Sequence, residues 1–353
     1  MIIFNEAKPK YEKLDELLES QLSNIRFSNQ VNIIIDCKEI VRKFFRPDIS
    51  PQYTSKKLLI EEISSDILNT IGHYRNYFYK RGKYTTFYLL YSFEKCQEII
   101  SIYPEYKNEY YKKYFDNTED PKVDIIRRSM QAVQKVTDYF PNCHFIETSM
   151  FDEFIYGKYI CSAVPENEIT LILSNDELFY QLISKNIFIL NIKGIKSELL
   201  TKDNCMGRIT GKDDTTISTA MLPLVLSMAG NKRYSFKSIP NVAIIKAVNI
   251  VEKLVAEGKV IDADSIKFPI ELANLNPKSK MEQHIIENSD QIIENYSLIR
   301  GDDMLYKNKL LIGNSFVFTD KSISGKAYFS ELNAKIYTSY PLMLDMMLKG
   351  EKI

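Results

Sequence analysis

The segment VNIIIDCKEI, residues 31–40, constrains the fold more than any other stretch of this chain. Three consecutive isoleucines run into Asp36 with no polar residue between them. A run of that kind suits a strand buried on both faces, as the inner strands of a parallel sheet are. Directly after it, KEIVRKFF places apolar residues at helical spacing. The same alternation recurs. YTTFYLLYSF (84–93), CHFIET (143–148), EITLILS (168–174) and NIFILNI (186–192) read as strands, being β-branched, aromatic and short. Between them, residues 56–79, VDIIRRSMQAVQKVTDYF (123–140) and MFDEFIYGKYICSA (150–163) carry a helical period. Strands alternating with helices predict an α/β fold, a mostly parallel sheet with helices on both faces.

Beyond the last of these strands the pattern changes. Residues 193–216 read as a polar connection, and TISTAMLPLVLSMAG (216–230) as an apolar helix. The stretch 230–258 reads as two short helices joined near Pro240 and Asn241. Residues 259–353 are less regular and form a C-terminal extension on this reading, with room for a protein partner.

Composition excludes more than it identifies. The chain has 353 residues, with 46 basic and 46 acidic side chains, so its net charge is zero. Attraction to a polyanion therefore has to come from local clusters. Five scattered cysteines with no C-x-x-C spacing give neither a disulfide framework nor a zinc site, and predict reduced thiols in a cytoplasmic setting. The three histidines have no ligand spacing, and no phosphate-binding glycine loop is present. The N-terminus turns charged within a few residues, and no apolar run approaches the roughly 20 residues that span a bilayer, so no membrane role is expected.

In parallel sheets, functional groups gather beyond the carboxyl ends of the strands. That rule selects Asp36, then Ser174, Asn175 and Asp176, with Asp152 and Glu153 opening the helix after the third strand. Taken singly, such acids serve as helix caps or solvated charges. Gathered together they repel unless a cation neutralises them, and Mg²⁺ or Mn²⁺ held by oxygen ligands can activate water for phosphodiester hydrolysis.

The order of these segments resembles the flap endonuclease and DNA polymerase I 5′-nuclease family, a PIN-like fold. VNIIIDCKEIVRKFF is similar to its first strand, with Asp36 at the acidic position. YTTFYLLYSFEKC is similar to the second strand, and IYPEYKNEYYKK to the segment that enters a helical arch. Residues 123–155 are similar to the arch-exit helix, third strand and acidic helix. LILSNDELFYQLIS resembles the SGDKDLLQL turn. LPLVLSMAGNKRYSFKSIPNVAIIKAV resembles the helix–turn–helix that grips duplex DNA. The likeness covers residues 30–255. It implies a nuclease core over 1–258, with an arch at about 94–140 and a helical hairpin at about 222–258. It also implies Asp36, Asp152, Glu153 and Asp176 as catalytic metal ligands.

The departures are as informative. Tyr91 or Ser92, Met150, Leu178 and Asn231 stand where the family carries acids. The hairpin segment SIPNVAII has no glycine, which weakens the close backbone approach to phosphate that glycine permits. Asp213 and Asp214 are possible replacement charges, or an ordinary solvated turn.

Basic residues supply the nucleic-acid candidates. Lys107, Lys112 and Lys113 interleave with Tyr106, Tyr110, Tyr111 and Tyr114. Lysines tracking phosphate and rings stacking on bases suit a single strand, as this segment does in the arch of the family. A tyrosine-rich helix packed on the core is the other reading. Lys232, Arg233 and Lys237 precede the helical hairpin, and Arg42 and Lys43 follow Asp36; all five are candidate phosphate contacts or plain surface charge. Two functions follow. One is a metal-dependent 5′ nuclease acting on single-stranded or branched DNA, with RNA a further possible substrate. The other is an inactive, nuclease-like nucleic-acid-binding subunit in replication or repair. A third reading is an unrelated α/β protein.

Overall fold

A computed structural model of the chain describes residues 28–45, 55–92, 95–107, 121–137, 142–148, 150–191, 198–211, 215–258 and 280–314. Its centre is a six-stranded sheet in the order β3-β2-β1-β4-β5-β6. The strands are β1 (Gln30–Asp36), β2 (Tyr84–Tyr91), β3 (Cys143–Glu147), β4 (Ile169–Leu173), β5 (Ile187–Asn191) and β6 (Glu198–Leu200). The first five pair in parallel, and β6 closes the edge antiparallel to β5. The mostly parallel α/β architecture is as the alternation predicts. The sixth strand lies inside the stretch read as a polar connection. Three residues on a sheet edge are too few to show a period.

The helices are α1 (Cys37–Arg42), α2 (Lys56–Tyr79), α3 (Gln97–Ile102), α4 (Pro121–Thr137), α5 (Glu153–Ala163), α6 (Cys205–Thr210), α7 (Leu222–Ala229), α8 (Ile244–Ala256), α9 (Lys280–Glu287), α10 (Ser289–Arg300), α11 (Asp302–Lys307) and α12 (Lys309–Asn314). Alternate residues of β1 face opposite sides of the sheet. Ile33 and Ile35 join one core with Ile63, Ile67 and Ile71 of α2 and Met130 of α4. Ile34 joins the other, with Phe154 and Ile155 of α5 and Phe179. Each fully buried isoleucine contributes about 1.5–3 kcal/mol, so a strand buried on both faces anchors the whole sheet.

A third core unites α7 and α8 with Ile285 of α9 and Ile292 and Tyr296 of α10. Leu298, Ile299, Met304 and Ile312 join the core over the sheet. The helices of 280–314 thus share cores with residues before 258. Where a short helix is expected just after Gly230, the chain makes a tight turn instead. A 3-10 segment covers Lys232–Tyr234 and a single bridge pairs Asn231 with Phe236. The periodicity there is real but comes from aromatic residues turned inward. Among the described residues no helix is long and apolar enough to cross a membrane.

Candidate functional site

The sheet order reverses between β1 and β4, and the carboxyl ends of those strands open onto the site. Register aligns Ile35 with Leu173, so Asp36 lies beside Ser174. The Ser174 hydroxyl donates to Asp36 Oδ2 at 2.9 Å and accepts from the Asp176 N–H at 3.0 Å. Asp176 then caps the 3-10 turn Glu177–Leu182 by accepting from Leu178 N at 3.0 Å. Asp152 caps α5 in the same way, accepting from Phe154 N at 3.1 Å. Gly157 lets α5 lie against that turn; a Cβ there would meet the Phe179 ring at 2.5 Å. Asp36, Asp152, Glu153 and Asp176 are all at least 98% buried. Four acids from three distant segments are therefore gathered at one strand edge.

What surrounds them is basic. Lys38, itself buried, pairs its ammonium with Glu153 Oε2. Lys107 pairs with Asp152 Oδ2, which also accepts from the Tyr106 hydroxyl at 3.0 Å. Arg233 Nη2 donates to Glu39 Oε1 at 2.7 Å and stands 3.3 Å from Asp176 Oδ2. The Tyr234 hydroxyl donates to that same Asp176 oxygen. Arg42 reinforces Glu39 at 3.0 Å, and Asn175 donates to its other oxygen at 3.2 Å. Lys107 lies 4.8 Å from the Tyr234 ring centroid, which ties the Asp152 and Asp176 halves together.

The electrostatics follow. Burial, with Glu39 adding to it, pushes Asp36 up to about 7 against the opposing pull of Lys38. Burial also works to raise Glu39, yet Arg233 and Arg42 outweigh it and hold that carboxyl at about 2. At Asp152 burial is likewise overcome, by Lys107 and Lys38, and the carboxyl stays well below its ordinary range. Burial disfavours the Arg233 cation, but Asp176, Tyr234 and Glu39 hold it charged. Burial and Asp176 keep the Tyr234 phenol protonated. Lys38, Lys107, Arg233 and Arg42 thus set four cations among the cluster's five carboxyl groups.

Does this arrangement suit a divalent metal? Asp36 Oδ1 and Glu153 Oε1 are buried without a hydrogen-bond partner, as ligand oxygens could be. Yet the partnered oxygens of Asp152, Glu153 and Asp176 already face Lys107, Lys38, Arg233 and Tyr234. Among the described residues no group of three or more His, Cys, Asp or Glu is placed to hold an ion. The donor set does not fit a metal centre. The substituted positions agree with this: Tyr91 and Leu178 are buried in apolar cores, Met150 packs against one, and Asn231 donates to Glu177 at 3.1 Å.

The candidate nucleic-acid residues divide. Tyr106 and Lys107 are buried and turned onto Asp152, not presented to a strand. Lys107 holds a left-handed backbone, φ 49°, secured by its N–H donating to Tyr234 O at 3.2 Å. Arg233 is spent on Glu39 and Asp176. Lys43 pairs with Asp66. Lys232 is exposed, and Lys237 is exposed while reaching Glu105 at 3.1 Å. Lys112, Lys113, Tyr110, Tyr111, Tyr114, Asp213 and Asp214 lie outside the described residues. Sequence reasoning missed Lys38, Glu39 and Tyr234. The available signal was a Lys-Glu pair set inside the apolar run that follows Asp36.

No family model matches the chain, and no curated protein matches it in sequence. Solved structures do match it in fold. The D15 protein of T5, crystallised with metal ions, superposes with a TM-score of 0.56 at 14% identity, over 81% of this chain and 99% of that one. A bacteriophage T5 D15 flap endonuclease variant, in a complex with DNA and metal ions, gives 0.55 at 14%, over 81% and 98%. A T5 5′-exonuclease variant gives 0.53 at 10%, over 91% and 97%. At these identities the likeness establishes a fold, that of 5′-exonucleases and flap endonucleases.

Proposed function

We propose that this chain is a nucleic-acid-binding protein on a flap-endonuclease-like fold that does not hydrolyse its ligand, and that it works as a structural or recruiting subunit. One observation carries the reading: three of the four acids that would hold catalytic metal, Glu153, Asp152 and Asp176, are paired with Lys38, Lys107 and Arg233 of the chain itself. A buried carboxylate given a fixed ammonium partner cannot also bring a cation's hydration water to a phosphate. The fold's likeness to a protein solved in a complex with DNA supports DNA as the ligand class, which this reading narrows to branched or single-stranded DNA. Exposed Lys232 and Lys237, beside the turn that leads into α8, are its candidate phosphate contacts in the described residues.

A metal-assisted 5′ nuclease is the second reading, favoured by the two unpartnered oxygens of Asp36 and Glu153. One experiment separates them. An end-labelled 5′-flap DNA is incubated with the protein in Mg²⁺ or Mn²⁺, and binding and cleavage are followed together. The expected result is a salt-sensitive complex with intact DNA. Cleavage that vanishes in Asp36→Ala or Asp176→Ala would establish the hydrolase instead, and failure to bind at low salt would remove both readings.

A further inference from the structure

Lys38 sits at the focus of the acidic cluster. Its ammonium pairs with Glu153, and its charge also pulls on Asp36 and Asp152. Carboxylates from two segments, the end of β1 and the start of α5, therefore lie under the influence of one cation, which comes from the first turn of α1. Both carboxylate oxygens of the cluster that are buried without a hydrogen-bond partner, Asp36 Oδ1 and Glu153 Oε1, belong to that group. Removing one partner of a buried ion pair is costly because it leaves the other charge uncompensated. That cost would fall on any replacement at this position, unless another cation enters.

We infer that Lys38 is a built-in counter-ion which occupies the position a divalent cation would need, so that the native chain takes up no Mg²⁺ or Mn²⁺ there and Lys38→Ala opens a cation site on the unpartnered oxygens of Asp36 and Glu153. This rests on the non-hydrolytic reading and gives it a specific cause. An ammonium supplies charge and three hydrogen bonds. It cannot accept a water oxygen as ligand, so the substitution keeps the fold while removing the means of activating water.

The test is a Mn²⁺ titration read by thermal unfolding and by the free-ion electron-spin signal, on the full chain without DNA. Native protein should leave the signal and its melting temperature unchanged. Lys38→Ala should melt lower and regain roughly 4 °C or more at saturating Mn²⁺. Lys38→Met, which keeps the volume and loses the charge, should melt lower and gain little. Adding Glu153→Gln to Lys38→Met should recover part of the loss without metal. Native protein that binds Mn²⁺, with binding lost in Glu153→Gln, overturns the inference; that measurement needs no Lys38 variant to fold. Equal rescue of the Ala and Met variants also overturns it, because the ion would then sit elsewhere. The outcomes are separable from those of the proposed function. A native chain that binds Mn²⁺ yet leaves flap DNA intact defeats the counter-ion and spares the binding protein. A native chain silent to Mn²⁺ and to DNA does the reverse.

Discussion

At the scale of single residues, the site is a set of opposed titrations. Glu39 is held at about 2 although burial acts to raise it, because Arg233 and Arg42 face it. A depressed carboxyl contributes stability above its unfolded value, near 4.5, and loses it as pH falls toward 2. Asp36 runs the other way. Its folded value is raised to about 7, chiefly by burial, so its contribution is present below its ordinary range, near 4, and is lost as pH rises through 7. Stability should therefore peak on the acid side of neutrality. Glu39→Gln should cost about 2–3 kcal/mol at pH 7 and progressively less below pH 4.5. Asp36→Asn should gain on the native protein above pH 7 and lose that advantage by pH 4. Melting curves from pH 3 to 8 measure both, and parallel curves for native and variant would refute the assignment. The acids of this site were legible in the sequence because strand ends are legible. Their partners were not. Lys38 meets Glu153 across 115 positions and Arg233 meets Glu39 across 194, and no local pattern records such a pairing.

At the scale of elements, the turn between α7 and α8 decides whether Arg233 and Tyr234 reach the acids at all. Gly230 ends α7 with φ 69° and ψ 174°, a conformation essentially confined to glycine. A Cβ there would come to 2.5 Å from Ser238 N and 2.6 Å from Phe236 O. Those atoms are backbone and cannot swing aside. Asn231 and Phe236 pair within the same turn, and Tyr234 and Phe236 stack at 5.6 Å. Gly230→Ala should thus cost on the order of 3 kcal/mol or more in urea unfolding, and weaken the tyrosine near-ultraviolet dichroism. A variant with native stability would mean the turn does not govern the site. The sequence suggested two helices across 230–258 because its apolar spacing there suits one. The aromatic residues that create that spacing instead fold into a turn, a choice made by packing against Tyr103 and Tyr106. The parallel strands were readable for the opposite reason, since Ile33 to Ile35 of β1 and Ile169 to Leu173 of β4 are buried throughout and form runs that no helical period explains.

At the scale of the whole molecule, zero net charge means that binding to a polyanion depends on which cations remain available. A lysine pointed at a phosphate and a lysine locked onto a buried carboxylate are identical in a sequence and opposite in effect. Lys107 belongs to the second kind, 2% exposed against Asp152, whereas Lys232 is exposed on the surface of the turn, where the proposed binding would use it. Each phosphate neutralised on duplex DNA steepens the fall of log K with log salt by about 0.9, and on a single strand by about 0.7. Lys232→Ala and Lys237→Ala should each reduce that slope by up to about one of these increments, with modest loss of affinity at low salt. Lys237 should contribute less, since Glu105 already competes for it at 3.1 Å. Lys107→Met should leave the slope unchanged while lowering the melting temperature, because its charge serves Asp152 and not the ligand. Fluorescence anisotropy on flap DNA between 50 and 200 mM salt, about the range in which such contacts are lost, measures all three. Were Lys107→Met to flatten the slope while Lys232→Ala left it alone, the buried cations would be the ones meeting phosphate, and the self-contained site described here would have to open when DNA arrives.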